Sequence, residues 1–210
     1  MNTYYIHLIR HGITAGNKNN WIYGGTDLPL LQEGKDALAD LREQRIYPAF
    51  SNTEYWTTGM LRTKQTASIL FGDQSYHHIP SLREINFGIY ECHKFDDLIG
   101  DPVYDAWLHD KTGLIAPEKG ESRRQFARRI KDGWEEFLTL RDTAFTHTTL
   151  VCHGGPIGMI LLSQLGGIHP KTKEPLDQNE PMNMYYFLPE PGHGYTLTMK
   201  GRKVIGKVAF

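Results

Sequence analysis

The sequence predicts a three-layer α/β fold with a mainly parallel central sheet. Buried-strand patterns alternate with helical patterns along most of the 210 residues, an order typical of βαβ units. Two of the predicted strands, at 4–9 and 148–152, lead into a histidine that a glycine follows. Because ligands bind where the carboxyl ends of parallel strands meet, we expect both histidines in one site. We also expect residues 1–210 to form a single domain.

The first half of the chain contains two predicted βα units. Residues 4–9 have the continuous apolar character of a buried parallel strand, and residues 31–44 place apolar side chains on one side of a helix. A short strand at 54–58 and a helix at 61–72, closed by Gly72, repeat this order. The apolar side chains of the first helix are Leu31, Ala37, Leu38 and Leu41.

The second half adds an irregular excursion and further regular elements. Within residues 92–119, proline and glycine interrupt the chain around a short predicted helix at Trp107 and Leu108. We expect this excursion to cover the site. Ser122, with Gln125 three residues later, forms a capping-box pattern that begins an amphipathic helix. The remaining predicted elements are the strand at 148–152, an apolar helix after the glycines that follow it, and strands within 182–188 and 195–210.

Composition excludes several classes of partner. The formal net charge is −1 and charged residues make up 22% of the chain, so there is no overall basic field for nucleic acid or a membrane surface. No apolar run reaches the roughly 18 residues that span a bilayer. Cys92 and Cys152 lack the spacing of a zinc site or a disulfide framework. We therefore expect a cytoplasmic protein without a leader segment, whose anion site depends on local charge.

Cationic and imidazole side chains cluster at the predicted strand ends. Arg10 and His11 follow the first strand, and His153 follows the later one. Arg62 lies at the start of a helix and offers a planar fork to phosphate oxygens. The glycines beside both histidines allow a ligand close to the main chain, and a helix that begins there contributes amide donors. These residue types indicate a phosphoryl site.

Five motifs resemble, in their order, those of the histidine phosphatase superfamily, also called the phosphoglycerate mutase-like family. They are "LIRHGITAGN", "TTGMLRTKQTA", "LREINFGIYE", "GESRRQFARR" and "LVCHGGPI", and they extend over nearly the whole chain. The resemblance implies a phosphohistidine intermediate, with His11 as the nucleophile and Glu84 as the proton donor. It also implies phosphate contacts from Arg10, Asn17, Arg62 and His153, and it places Thr26 of "YGGTDLPL" near the substrate.

The chemistry that the resemblance implies is consistent with these residue types. Phosphoryl transfer needs an aligned nucleophile and fixed positive charge. Arginine supplies that charge at every working pH, so we expect no metal and no cofactor. Nearby arginines disfavour the protonated form of His11, which must be neutral to attack. Glu84 can protonate the leaving alkoxide and then activate water as a carboxylate, and Glu91 is the nearest alternative acid in the sequence.

Three functions stay open on the sequence alone. The first is a metal-independent phosphomonoesterase that acts on a small phosphorylated metabolite. The second is a cofactor-dependent phosphoglycerate mutase, and the third is a noncatalytic module that binds phosphate or a phosphoprotein. Mutases of this family tend to have a longer and more basic insertion after the acid, whereas residues 92–119 hold mainly Lys94 and Lys111. This favours hydrolysis. "YGGTDLPL" and "LREINFGIYE" also resemble the α-ribazole phosphatase branch, but they name no substrate.

Several other positions have ordinary structural interpretations. We expect His7 to be a core histidine and Cys152 a buried apolar filler. We expect the arginines of the amphipathic helix, Arg123, Arg124, Arg128 and Arg129, to form a solvated face. Three departures from the family pattern are expected to change the walls of the site and not its chemical core, namely Gly16, Tyr90 and Cys92.

Overall fold

The computed structural model describes residues 3–48, 52–169, 171–177 and 180–210. The strands within these residues are β1 (Thr3–Arg10), β2 (Trp21–Ile22), β3 (Thr53–Thr57), β4 (Tyr76–His78), β5 (His93–Lys94), β6 (His147–Cys152), β7 (Gly194–Lys200) and β8 (Lys203–Ala209). Six of them form one sheet in the order β4-β3-β6-β1-β7-β8, and β2 pairs separately with β5.

The central strands of the large sheet run parallel. β6 pairs in parallel with β1 on one side and with β3 on the other, and β3 pairs in parallel with β4. β7 and β8 add an antiparallel hairpin at one edge. The register sets Arg10 opposite Cys152. The next residues, His11 and His153, therefore leave the sheet side by side at the carboxyl ends of β1 and β6. The predicted mainly parallel sheet is confirmed.

Helices cover both faces of this sheet. Within the described residues they are α1 (Ala15–Lys18), α2 (Gln32–Glu43), α3 (Leu61–Phe71), α4 (Pro102–Leu108), α5 (Arg123–Leu140) and α6 (Gly154–Leu165). None of these helices is long and apolar enough to cross a membrane. Leu8 and Leu150 pack into one core with α5 and α6, whereas Ile9 and Val151 pack into a second core with α2 and α3. Because successive strand side chains point to opposite faces, the fold has the three predicted layers.

Two helix ends follow signals in the sequence. The Gln125 amide donates to the Ser122 hydroxyl at 3.2 Å, and the Ser122 amide donates to the Gln125 side-chain oxygen at 2.7 Å. The predicted capping box is therefore formed at the start of α5. At the end of α3, Gly72 has a φ of 76°, a left-handed conformation that glycine adopts without a steric penalty. Both predicted boundaries are confirmed.

The strand predicted within residues 182–188 is wrong. This segment lies in a 3₁₀ helix, Pro181–Phe187. Its aromatic residues are good strand formers, but its buried positions recur every third residue, which is the repeat of a 3₁₀ helix. The buried positions are Pro181, Met184 and Phe187.

The excursion at residues 92–119 has a small core of its own. It contains α4, which confirms the predicted short helix, and a 3₁₀ helix, Phe95–Leu98. Tyr104 and Trp107 of α4 pack with Tyr90 and with the end of that 3₁₀ helix. Cys92 has a φ of 63°, which gives a physical reason why the family commonly has glycine at this position. That the whole chain forms a single domain stays a prediction.

Candidate active site

The two predicted histidines lie at the carboxyl ends of β1 and β6. Their ring centroids are 5.3 Å apart, with an angle of 63° between the rings. Both side chains are buried. The His11 amide donates to the Cys152 carbonyl at 3.0 Å, so the pairing of the two strands continues one residue past β1. The shared edge of the sheet brings His11 and His153 together.

The hydrogen bond of His11 determines its tautomer. Nδ1 lies 2.8 Å from the Gly12 carbonyl oxygen, and because a carbonyl oxygen only accepts, Nδ1 carries the proton. Burial, and then the positive charge of Arg62, hold the pKa of His11 well below its usual range. The ring is therefore neutral, and its Nε2 bears an unshared electron pair.

His153 has the opposite tautomer. The Nε–H group of Arg62 donates to His153 Nδ1 at 3.3 Å, so that nitrogen is unprotonated. His153 Nε2 then donates to the Thr58 hydroxyl at 2.8 Å. Burial, followed by the charge of Arg62, holds the pKa of His153 well below its usual range. His153 is thus a neutral ring that is oriented from both sides.

Arg62 is fully buried and is fixed by main-chain acceptors. Its Nη1 donates to the Thr26 carbonyl at 2.9 Å, and its Nη2 donates to the Gly24 carbonyl at 2.7 Å. Asp27 Oδ1 lies 3.7 Å from Nη1. The guanidinium carbon also lies 5.4 Å from the centroid of the Tyr23 ring. A planar fork reaches these acceptors at once, whereas the single ammonium of a lysine does not.

Arg10 supplies a second guanidinium at this edge of the sheet. Its Nη1 donates to the Pro189 carbonyl at 2.8 Å. Its Nε is buried and has no acceptor in the part of the chain that the structure describes. A buried charged donor without a partner is costly unless an anion completes it. We call Arg10, His11, Arg62 and His153, which include residues predicted to contact phosphate and the predicted nucleophile, the phosphate floor.

Glu84 contacts the first turn of α6. Its carboxylate accepts hydrogen bonds from the Gly155 amide at 2.9 Å and from the Ile85 amide at 3.0 Å. A Cβ at position 155 would collide with this carboxylate, so the close approach requires glycine. Loss of hydration raises the pKa of Glu84, although the two amides and the nearby arginines oppose the shift. Glu84 is therefore more readily protonated than a solvent-exposed glutamate.

Asn17 is held in the capping box of α1. Its Oδ1 accepts hydrogen bonds from the Thr14 amide at 3.0 Å and the Tyr23 hydroxyl at 2.9 Å. Its Nδ2 has no acceptor among the described residues, so the predicted phosphate contact would use this group. The Tyr23 ring also packs against Gly16, where a Cβ would collide with it. Gly16 thus leaves room for the Tyr23 ring.

Glu91 has a role that the sequence analysis missed. Its carboxylate accepts hydrogen bonds from three successive amides, those of Gly24, Gly25 and Thr26, and from the Phe87 amide at 2.8 Å. Consecutive amides turned to one side form an anion-binding nest, and the repeated glycines of "YGGT" were the available signal. Four amides hold the carboxylate of Glu91, whereas two hold that of Glu84, so Glu91 is the poorer candidate for the acid. The contacts of Thr26 run through its main chain, and the substrate contact of its side chain stays a prediction.

Arg129 and Glu121 clamp the segment that carries Glu84. The two side chains form a bidentate pair with both N–H···O distances at 2.7 Å. Arg129 also donates to the carbonyls of Ser81 and Arg83 at 2.9 Å and to that of Glu84 at 3.2 Å. The expected solvated face is therefore wrong for Arg129. Its acceptors belong to the main chain of a distant segment, which helical spacing does not reveal.

Arg123 is a second exception on the same helix. It is buried, and its Nη1 donates to the Leu108 carbonyl at the end of α4 at 3.0 Å. Arg128, by contrast, is exposed as predicted. Arg123 therefore ties the excursion at residues 92–119 to α5.

A cavity of about 610 Å³ opens beside the phosphate floor. Arg10, Asn17, Glu84 and Gly155 line it, together with side chains of the excursion, which are Phe95, Tyr104, Trp107 and Leu108. The excursion therefore forms part of the wall of the site. Within the described ranges, no three His, Cys, Asp or Glu side chains are grouped in a way that could hold a metal ion.

Comparison with known proteins decides the family. A model described as "Histidine phosphatase superfamily (branch 1)" matches residues 6–199. The chain belongs to this superfamily. A "Probable phosphoglycerate mutase GpmB" of Yersinia pestis is 32% identical over 167 residues, which are 77% of this chain and 74% of the relative.

Solved structures of the superfamily share the fold. The α-ribazole phosphatase of Shigella flexneri has a TM-score of 0.79 at 21% identity, covering 98% of this chain and 94% of that one. A phosphoglycerate mutase of Thermus thermophilus has a TM-score of 0.65 at 25% identity, covering 98% and 99%. At 21% identity the first likeness shows the fold alone. Phosphatases and mutases thus both occur among proteins similar to this superfamily member.

Proposed function

We propose that the protein is a metal-independent phosphomonoesterase that transfers the phosphoryl group of a small ester to His11 and then to water. The observation that carries this proposal is the neutral His11 ring, whose Nδ1 is tied to the Gly12 carbonyl while Nε2 is unprotonated. Arg10 and Arg62 at the same sheet edge supply fixed positive charge. Charge of this kind stabilises the equatorial oxygens in the transition state.

The first chemical step forms the phosphoenzyme. Arg10, Arg62 and the Asn17 amide would donate hydrogen bonds to the phosphate beside the His153 ring, and Nε2 of His11 attacks phosphorus in line with the ester oxygen. As the N–P bond forms, the P–O bond breaks and the alcohol oxygen takes the proton of Glu84. The raised pKa of Glu84 favours the acid form that this step needs. The Gly12 carbonyl, still bonded to Nδ1–H, stabilises the positive charge that develops on the ring.

The second step hydrolyses the phosphoenzyme. Glu84 is now a carboxylate and takes a proton from water, whose oxygen attacks phosphorus. The N–P bond breaks, its electron pair returns to His11 Nε2, and inorganic phosphate leaves. Glu84 is again an acid, so the cycle closes without another proton carrier.

The name of the Yersinia relative favours a second candidate, phosphoglycerate mutase. A mutase must hold a substrate that carries a carboxylate as well as phosphate. Among the described residues that line the cavity, Arg10 is the one with a positive charge, and Glu84 and Glu190 are acidic. Without a further cation, the carboxylate would lie uncompensated. This charge balance supports hydrolysis over the mutase reaction.

The test combines turnover with trapping of the intermediate. We expect the protein to release phosphate from p-nitrophenyl phosphate and from alkyl phosphates, with and without a chelator. Quenching in alkaline denaturant should capture a phosphoenzyme that is stable to base and labile to acid, and that His11→Ala lacks. His109→Ala, at an exposed position outside the site, is the matched control and should behave as wild type.

Three results would contradict this proposal. Acid-labile phosphate on His11→Ala would exclude His11 as the nucleophile. Activity that is lost on chelation and restored by Mg²⁺ would exclude the metal-independent mechanism. An inactive protein that still binds inorganic phosphate would support the noncatalytic module.

A further inference from the structure

The cavity beside the phosphate floor is the place where the alcohol part of an ester would lie. Arg10, Glu84 and Gly155 line it, so it is continuous with the groups proposed to bind phosphate and to protonate the leaving oxygen. This inference therefore rests on the proposed function. The chemistry of the remaining wall then indicates the class of alcohol.

Aromatic side chains from three separate segments face this cavity. Trp21 comes from β2, and Tyr185 comes from the 3₁₀ helix Pro181–Phe187. Phe87 precedes the excursion, and Phe95 and Trp107 lie within it. We call Trp21, Phe87, Phe95, Trp107 and Tyr185 the aromatic wall. Aromatic rings bind flat apolar groups through offset or edge-to-face contacts, beyond the gain from burial alone.

The excursion's part of the aromatic wall is preformed. Phe87 and Trp107 meet edge to face with centroids 5.9 Å apart. Phe95 packs against Tyr104 at 6.0 Å. The Arg123 side chain holds the end of α4 by its bond to the Leu108 carbonyl. A rigid wall loses little freedom when a ligand binds, and this favours affinity.

Size and charge argue against a small anionic alcohol. A cavity of about 610 Å³ lies in the range of roughly 300–1,000 Å³ that holds drug-sized ligands, and a three-carbon acid fills little of it. The phosphate group already uses Arg10, the one cation among the described lining residues. Glu190 adds negative charge to the lining. A second anionic group on the substrate would therefore be repelled.

We propose that the physiological substrate is a phosphomonoester whose alcohol carries an aromatic ring and no second anionic group. The ring packs against Phe95 and Trp107, and the phosphate lies on the phosphate floor. Both residues contact the alcohol and so determine specificity, whereas the chemical steps depend on the floor and Glu84.

Five esters of primary alcohols test the proposal. They are 2-phenylethyl phosphate, 2-cyclohexylethyl phosphate, ethyl phosphate, phosphocholine and 3-phosphoglycerate. We expect kcat/KM for the phenylethyl ester to exceed that for the ethyl ester by about 10- to 100-fold. It should exceed that for the cyclohexyl ester by about 2- to 10-fold, because the aromatic contribution adds to burial. The glycerate ester should be the poorest substrate, and a preference for it or for phosphocholine would overturn the proposal.

Variants of Phe95 locate the effect on the aromatic wall. Phe95→Ala should lower kcat/KM for the phenylethyl ester by about 5- to 10-fold and leave the ethyl ester within about 2-fold. Phe95→Leu, which retains apolar volume, should recover part of the loss. Ile99→Ala is the matched control, because Ile99 is exposed in the same excursion and does not line the cavity. Equal losses with both esters would overturn the assignment of Phe95.

Binding to His11→Ala separates this proposal from the proposed function. Calorimetry with this variant should show tighter binding of 2-phenylethyl phosphate than of 3-phosphoglycerate. If that preference holds but no ester is hydrolysed by wild type, the phosphatase function fails and the ligand class stands. If wild type hydrolyses all five esters without preference and the variant binds them alike, the ligand class fails and the function stands.

Discussion

The phosphate floor and the aromatic wall are held in place by different forces. In the floor, directional hydrogen bonds to main-chain carbonyls fix Arg62 and His11, and side-chain hydrogen bonds with Arg62 and Thr58 orient His153. In the wall, ring contacts within the excursion set the positions of Phe95 and Trp107. Hydrogen bonds weaken steeply with misalignment, whereas apolar packing tolerates exchange of similar volumes. Changes in the floor should therefore affect all esters alike, and changes in the wall should depend on the alcohol.

Glu84 lies between these two regions, and its substitution should give the largest contrast between substrates. Glu84→Gln keeps an acceptor for the Gly155 amide but has no proton to give. General acid catalysis contributes about 10²- to 10⁴-fold, so we expect a loss in this range for phosphorylation of His11 by an alkyl phosphate. The loss with p-nitrophenyl phosphate should be far smaller, because p-nitrophenolate leaves without a proton.

Single-turnover measurements isolate that step from the later hydrolysis, in which Glu84 is also proposed to act. Phosphate affinity and circular dichroism serve as controls for an intact site and fold. Equal losses with the two leaving groups would show that Glu84 is not the acid and that another group protonates the leaving oxygen.

Arg62→Lys should impair every substrate to a similar extent. A lysine cannot donate to both the Gly24 and the Thr26 carbonyl. The substitution therefore loosens the main chain at Gly24 and Thr26 and removes the planar donor proposed for the phosphate oxygens. Removal of one well-placed transition-state donor typically costs about 10²- to 10³-fold in kcat, and we expect this loss with aryl and alkyl esters alike. Arg128→Lys, an exposed change on α5, should have no effect. A loss confined to alkyl esters would place Arg62 with the acid and not with the floor.

Arg129 should have a smaller effect that follows the pattern of Glu84. It holds the main chain at Ser81, Arg83 and Glu84 without facing the reacting atoms, so it is a positioning residue. We expect Arg129→Gln to slow phosphorylation by alkyl esters by roughly 10-fold and by p-nitrophenyl phosphate by much less. Glu121→Gln should give the same pattern, with Arg128→Gln as the control. A uniform loss, or lower stability with unchanged leaving-group dependence, would indicate a structural role only.

The sequence predicted the residues of the floor better than the residues that hold the surrounding main chain in place. Arg10, His11 and His153 follow from strand ends that any parallel sheet brings together, and the capping box of α5 is a local signal. The residues that hold the main chain depend on contacts between distant segments. Glu91 binds amides of Gly24 and Gly25, which lie 67 and 66 residues away in the chain, and no periodicity encodes such a pair.

The 3₁₀ helix Pro181–Phe187 shows a different limit of sequence analysis. Its residues have the strand propensity of an aromatic-rich segment, and burial against the sheet's core at every third position overrides that preference. The aromatic wall depends partly on this segment, because Tyr185 belongs to it. The specificity surface was therefore harder to predict than the chemical site.

The smallest predicted effect concerns the pH dependence of stability, which we expect from a buried histidine in the strand that leads to the floor. Phe95 of the aromatic wall has no titratable group and should make no such contribution. His7 of β1 is buried, its Nδ1 lies 2.9 Å from the Thr196 hydroxyl, and His147 faces its other ring nitrogen at 3.2 Å. Burial, and then repulsion from His147, lower the pKa of His7 to about 4. The unfolded chain binds a proton at this residue near pH 6.5, and the folded protein does not until about pH 4.

Stability should therefore fall as the pH falls through this window, by up to about 1.4 kcal/mol per pH unit from His7. Urea unfolding of His7→Gln at about pH 7, 6 and 5 should show a shallower dependence on pH, whatever its stability at neutral pH. Because Phe95 does not titrate, Phe95→Ala should keep the wild-type slope, and the exposed His109→Gln should keep it as well. An unchanged slope in His7→Gln would mean that the His7 imidazole is already protonated in the folded protein over this pH range, and that burial does not keep it neutral.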